Sequence, residues 1–124
     1  MCKPAFACRY PDLAPDALAR DMTLGKLLSM RSGHACDHEN PTLPGNEDVI
    51  ASAGGDIDAR ILRLPSASRA GERYAVYCSV DFHLAGALTA MPANDRLPAM
   101  FDRWIAPPID FGSRHWNLAP DRQG

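Results

Sequence analysis

Lysine is nearly missing from this chain. Lys3 and Lys26 are the only two, and the 13 Lys and Arg together are outnumbered by 15 Asp and Glu, for a net charge of −2. Gripping nucleic acid through its phosphates requires clustered basic side chains, so this composition speaks against a nucleic-acid partner. Long apolar runs are missing too. Nothing approaches the roughly 20 residues needed to cross a bilayer, so no membrane association is expected. The opening residues MCKPAFACRYPD hold no apolar core of a signal peptide, and the expected compartment is the cytoplasm. There, Cys2, Cys8, Cys36 and Cys78 are expected as thiols or metal ligands; a lost leader would bring disulfides back into play. Several motifs are also absent: a Walker loop, G-x-G-x-x-G, H-E-x-x-H, G-x-S-x-G and an EF-hand spacing.

What remains is an ordinary globular composition. The 124 residues, 46% hydrophobic and 23% charged, suit one domain over 1–124 with a real core. An excess of Arg over Lys with abundant Ala matches the codon usage of a GC-rich bacterial or phage gene.

The strongest local pattern is Tyr74 to Leu84, YAVYCSVDFHL. Tyr74, Val76, Cys78, Val80, Phe82 and Leu84 share one parity, which predicts a strand with one buried face. Ile57 to Leu64 reads as a second strand, with a bulge near Ile61 where Leu62 and Leu64 break the alternation. The connector SASRAGER would close the two into an antiparallel hairpin. Helical signals flank this unit. Pro15 suits a first turn, with Leu18 and Met22 on one face. Thr23 caps a short helix carrying Leu24, Leu27 and Leu28, with Gly33 as its left-handed stop. Asn94 or Asp95 caps a third helix with Leu97, Phe101, Trp104 and Ile105 on one stripe, ended by Pro107 and Pro108. The basic groups on the second helix, Lys26 and Arg31, are too few for a DNA-reading helix. Residues 33–56 form a long polar loop, which in a small domain is functional, disordered or held by something. The fold class expected is therefore α+β: a hairpin over 57–64 and 74–84, packed by two or three short helices. A hairpin alone is marginal, so a further strand from 3–10, 47–52 or 109–118 is expected.

Four constellations could carry chemistry. Cys8, His34, Cys36 and His38, with Cys2 nearby, are residue types that zinc takes, and a metal would order the polar loop. Cys36 among His34, Asp37 and His38 could be an activated thiol. Asp37/Glu39 and Glu47/Asp48 could hold a hard cation. The polar strand face brings Tyr77, Ser79, Asp81 and His83 to one side, with Asp58 and Arg60 as expected cross-strand partners of Asp81 and His83. Side chains two apart on one strand do not converge as a nucleophile, base and orienting acid must. Cys78 falls on the apolar parity and reads as a core residue. Phe111 and Trp116 either dock on the sheet or stand out as a contact anchor.

The function these signals support is a small non-enzymatic binding module, an inhibitor, immunity or anti-defence factor. It would occlude a protein partner through Tyr77, Asp81, His83, Arg60 and Trp116. The alternative is a zinc-binding protein or small metalloenzyme built on Cys8, His34, Cys36 and His38; no other cofactor is expected.

Overall fold

A computed structural model describes residues 8–13, 18–67 and 75–117. The described residues are helical, and no strand occurs among them; the only extended pairing is a single antiparallel bridge between His34 and Ser66. After a helical pair at Cys8 and Arg9, five α-helices follow in order among the described residues: α1 Leu24–Leu28, α2 Glu47–Ala53, α3 Ile57–Leu62, α4 Ser79–Ala90 and α5 Leu97–Trp104. Short 3-10 turns stand at Leu18–Arg20 and Met91–Ala93. The expected α+β hairpin is thus replaced by helices at both of its strands.

The reason lies in a second period hidden inside each alternating run. In α3 the buried residues are Ile57, Asp58, Ile61 and Leu62, which is i, i+1, i+4, i+5, the spacing of a helix face. The parity break at Leu62, read above as a bulge, is the helical repeat showing through. Asp56 starts the helix by accepting from the Ala59 N–H at 2.8 Å. In α4 the buried set is Val80, Asp81, Leu84 and Ala85, again i, i+1, i+4, i+5. Val76 and Phe82, expected on the buried face, are each 48% exposed, while Asp81, expected on the polar face, is fully buried. The expected strand ends at Leu84. Instead the Ala-rich continuation, a good helix former, carries α4 on to Ala90.

Other expectations fare better. Thr23 does cap α1, its side chain accepting from the Lys26 N–H at 3.2 Å. Its stop differs: Met30, at φ 56°, takes the left-handed position ahead of Gly33. The third helix appears as α5 with Pro98 in its first turn and a turn over Pro107 and Pro108 behind it; Arg96, not Asn94 or Asp95, is its N-cap residue. The Pro15 turn, Cys2, Tyr74 and most of the SASRAGER connector lie outside the described residues.

α4 is the central element. It packs on α1, α3 and α5. Leu27, Ile61, Leu62 and Leu84, all essentially without exposure, meet there with Ala19, Met22, Ile50, Ile57 and Val80. Each such fully buried aliphatic side chain contributes about 1.5–3 kcal/mol. Tyr10 closes one end, its hydroxyl donating to Asp56 at 3.2 Å. Burial first, then the charges of Asp58 and Asp56, push its phenol from 10.0 up to about 12. The unfolded chain ionises earlier, so this group's stabilisation is complete below pH 10.0 and is lost as pH rises toward about 12. We expect the near-ultraviolet phenolate titration to show one late-titrating tyrosine that disappears in Tyr10→Phe; an unchanged titration would refute the assignment.

Candidate functional site

The polar loop is held by something, and that something is covalent. Cys36 and Cys78 are joined by a disulfide that ties the loop to the residue just before α4. The expectation of reduced thiols is therefore corrected, and no free cysteine occurs among the described residues. The disulfide is the middle of three rivets. His34 Nδ1 lies 3.3 Å from Asp81 Oδ1, both side chains wholly buried. Two residues past Cys36, the His38 N–H donates to the Tyr77 carbonyl at 3.2 Å. Positions 34, 36 and 38 of the loop thus bind positions 81, 78 and 77. Gly45 lies directly beneath: a Cβ there would sit 2.8 Å from the Ala35 carbonyl and from Cys36 Cβ, so only glycine lets the chain pass. Asn46 completes the support. Its amide donates to the Asp37 and His38 carbonyls at 3.3 and 3.1 Å, while its oxygen caps α2 through the Asp48 N–H.

These bonds fix a small polar and aromatic cluster at the N-terminus of α4. Tyr77 is 55% exposed. Its ring meets His38 edge-on at 5.4 Å and Phe82 at 6.1 Å. His38 Nδ1 lies 2.6 Å from Glu47 Oε1. Burial raises the Glu47 carboxyl, but the Ser79 hydroxyl, the His38 ring and its own backbone N–H outweigh it and hold the group below the ordinary carboxylate range. A carboxylate held low is a weak base. Glu47 therefore holds His38 and is poorly suited to take a proton from the serine. Nor is the set a catalytic triad, in which the histidine must touch the hydroxyl.

The residues singled out from sequence scatter. Tyr77 faces outward and Ser79 lies beside it at the start of α4. Asp81 points into the core against His34. His83 Nε2 reaches Asp58 Oδ1 at 3.1 Å; this Asp58–His83 pairing was expected across a hairpin but forms between two helices. Arg60 is occupied by the Ala53 and Gly54 carbonyls at 3.3 and 3.0 Å. Trp116 and Phe111 meet Phe101 of α5 edge-on, with centroids 5.6 and 5.3 Å apart. No single face holds the expected partner-binding set. The zinc set fails as well. Cys36 is in a disulfide, Cys8 is disulfide-bonded, His34 is buried against Asp81, and no metal-binding group occurs among the described residues. Cys36 is no thiol nucleophile for the same reason. A groove of about 560 Å³ between α2 and α3 is mostly apolar, lined by Val49, Ile50 and Leu64. Its Arg63 is committed to Asp12 at 2.6 Å. Glu47 is the site residue that sequence reading undervalued, as half of an acidic pair; its place at the start of a capped helix was the available signal.

A family model described as Beta-lactamase matches residues 9–124. The chain belongs to the beta-lactamase family. No curated protein and no solved structure matches it. The expectation of a non-enzymatic inhibitor, immunity or anti-defence module is corrected by this match. The serine–lysine pattern S-x-x-K, with S-D-N and K-T-G, marks class A enzymes and penicillin-binding proteins. None of the three occurs in the 124 residues. The nearest spacing is Thr23 to Lys26, and both are otherwise engaged: Thr23 caps α1, and Lys26 Nζ donates to the Asp21 carbonyl at 2.8 Å.

Proposed function

We propose that this chain takes part in hydrolytic acyl transfer on a lactam or ester, with the Tyr77 end of α4 as its contribution to the active site. The observation that carries the reading is Tyr77 itself: an exposed phenol on a residue whose backbone is pinned to the His38 N–H and whose neighbour is pinned by a disulfide. A group so placed loses little freedom on meeting a substrate. Acyl transfer builds negative charge on a carbonyl oxygen and needs a proton moved. The Asp81 N–H turns back to the Cys78 carbonyl at 3.0 Å, and no side chain caps the start of α4; the Ser79 and Val80 N–H groups ahead of it form the positive end of the helix dipole, suited to the first task. The phenol, an acid and base of known catalytic use, suits the second. With no serine–lysine pair present, the nucleophile assigned is water: it adds to the acyl carbon, the phenol gives its proton to the leaving nitrogen or oxygen as the acyl bond breaks, and the proton lost by the water restores the phenol.

The disulfide favours work in an oxidising compartment. No helix among the described residues is long and apolar enough to cross a membrane.

Turnover of a chromogenic cephalosporin and of a nitrophenyl ester by the full-length protein tests the reading. Tyr77→Phe keeps the ring and deletes the proton, and is expected to lower kcat by about 100-fold or more. Equal turnover in the variant would remove Tyr77 from the mechanism. Failure of the parent protein to turn over either substrate would overturn the hydrolase reading.

A further inference from the structure

The surface around Tyr77 has an unusual charge history in the sequence. Its residues come from two stretches, 34–48 and 76–82. Together these hold Asp37, Glu39, Glu47, Asp48 and Asp81, and all 13 Lys and Arg lie outside them. Asp81 is buried against His34. Glu39 and Asp48 are exposed and Asp37 and Glu47 half-buried, bracketing His38 on the loop and the start of α2. Beside them stands an apolar wall that the domain leaves uncovered: Val76, Tyr77 and Phe82, respectively 48%, 55% and 48% exposed. The Tyr77 and Phe82 planes are tilted by 59° and the His38 ring meets Tyr77 at 84°, so the three form a bent wall rather than a stack.

Resting on the reading of this cluster as the site, we propose that the substrate group bound at the Tyr77–Phe82 wall is a small organic cation, an alkylammonium on the acyl compound. Ring faces attract such a cation. The carboxylates of Asp37, Glu39, Glu47 and Asp48 add a field of the right sign, which also raises the encounter rate. Glu47 already engages His38, so its charge acts on the ligand at longer range than a direct contact. An anionic group would meet carboxylates at the His38 end. The basic residue next in sequence to this surface among the described residues is Arg31, which follows Met30, whose carbonyl accepts from the Val76 N–H at 3.1 Å at the other end of the wall. A neutral group would gain the wall and nothing from the field.

Three probes of one shape separate these cases: choline, its uncharged carbon counterpart 3,3-dimethylbutan-1-ol, and the anion 3,3-dimethylbutanoate. Each is titrated into the full-length protein and followed by NMR on the ring protons of Tyr77, Phe82 and His38. The expected result is at least tenfold tighter binding of choline than of the alcohol, weaker binding of the anion than of either, and loss of the preference as salt rises. Phe82→Ala, at an exposed position, is expected to weaken choline severalfold with the fold intact, and Glu47→Gln to narrow the gap between choline and the alcohol. Equal binding of the three probes, strongest binding of the anion, or shifts confined to other rings would overturn the inference. Tyr77→Phe keeps this binding separate from the hydrolase reading: it should retain choline affinity within about twofold while losing turnover. Choline binding without turnover thus refutes only the hydrolysis, and turnover without choline preference refutes only the charge of the substrate.

Discussion

Replacing Cys36 and Cys78 together by serine is expected to lower unfolding free energy by about 4 kcal/mol. The bond closes a loop of sequence separation 42, and the chain-entropy relation for a loop of that length gives roughly this value, with measured cases spanning about 2–5 kcal/mol. The loss should be larger in effect than in energy. Loop 33–46 is rich in Gly, Pro, Asn and Asp, carries little apolar surface of its own, and depends on its rivets for order. Without the disulfide, the backbone of Tyr77 keeps only the His38 N–H from the loop side. Chemical denaturation of the double variant against the oxidised parent measures the first effect, and hydrogen exchange at residues 34–38 the second. A variant within about 1 kcal/mol of the parent would show that the packing of α4 alone defines this end of the molecule.

Asp81→Ala is expected to cost about 3–5 kcal/mol, the range for breaking a buried pair from one side. Both side chains are wholly buried and 3.3 Å apart, and His34 Nε2 and Asp81 Oδ2 have no other hydrogen-bond partner. Truncating the aspartate leaves an imidazole in the core with nothing to satisfy it. The informative companion is His34→Leu with Asp81→Leu. An apolar replacement on both sides removes the unsatisfied groups, and much of the lost stability should return. If the double variant is as unstable as Asp81→Ala, cavity and shape dominate at this position, not the pairing. Equilibrium unfolding of the three proteins decides between these outcomes.

Two of the helices, α1 and α5, can be read from residue spacing alone, while α2 reads as loop and α3 and α4 as strands. Thr23 announces α1, Pro98 and the Leu97–Phe101–Trp104 stripe announce α5, and the anchored polar loop is visible as a loop that something must hold. The hairpin is the instructive failure. In YAVYCSVDFHL every second residue is apolar, but so are Val80 and Leu84 four apart, and only tertiary contact chooses between the two periods. The choice fell to the helix because α4 packs on three neighbours at once, and because Asp81 finds His34 inside the core. A carboxylate at a buried position is what a sequence pattern cannot foresee, since its partner lies 47 residues away. The candidate site was half legible for the same reason. Tyr77, Ser79 and His38 were singled out for an exposed strand face and a metal loop. What joins them with Glu47 is a cysteine pair that seemed destined for other uses: Cys78 for the core and Cys36 for a metal.

The alternation of the three rivets at 34, 36 and 38 has one more consequence, concerning where this chain can change length. The segment turns tightly at Ala35, where the Cys36 N–H returns to the His34 carbonyl at 2.8 Å, so one residue added or removed between 34 and 38 would pull at least one rivet away from its partner. Gly45 sets the far limit, because the chain there passes under Cys36 without room for a side chain. Between them, residues 39–44 are held mainly by their own turn bonds, such as Thr42 to Asn40 at 2.6 Å. Variation in length at this end of the molecule belongs in that short bow, where it would reshape the rim beside His38 and leave Tyr77 in place.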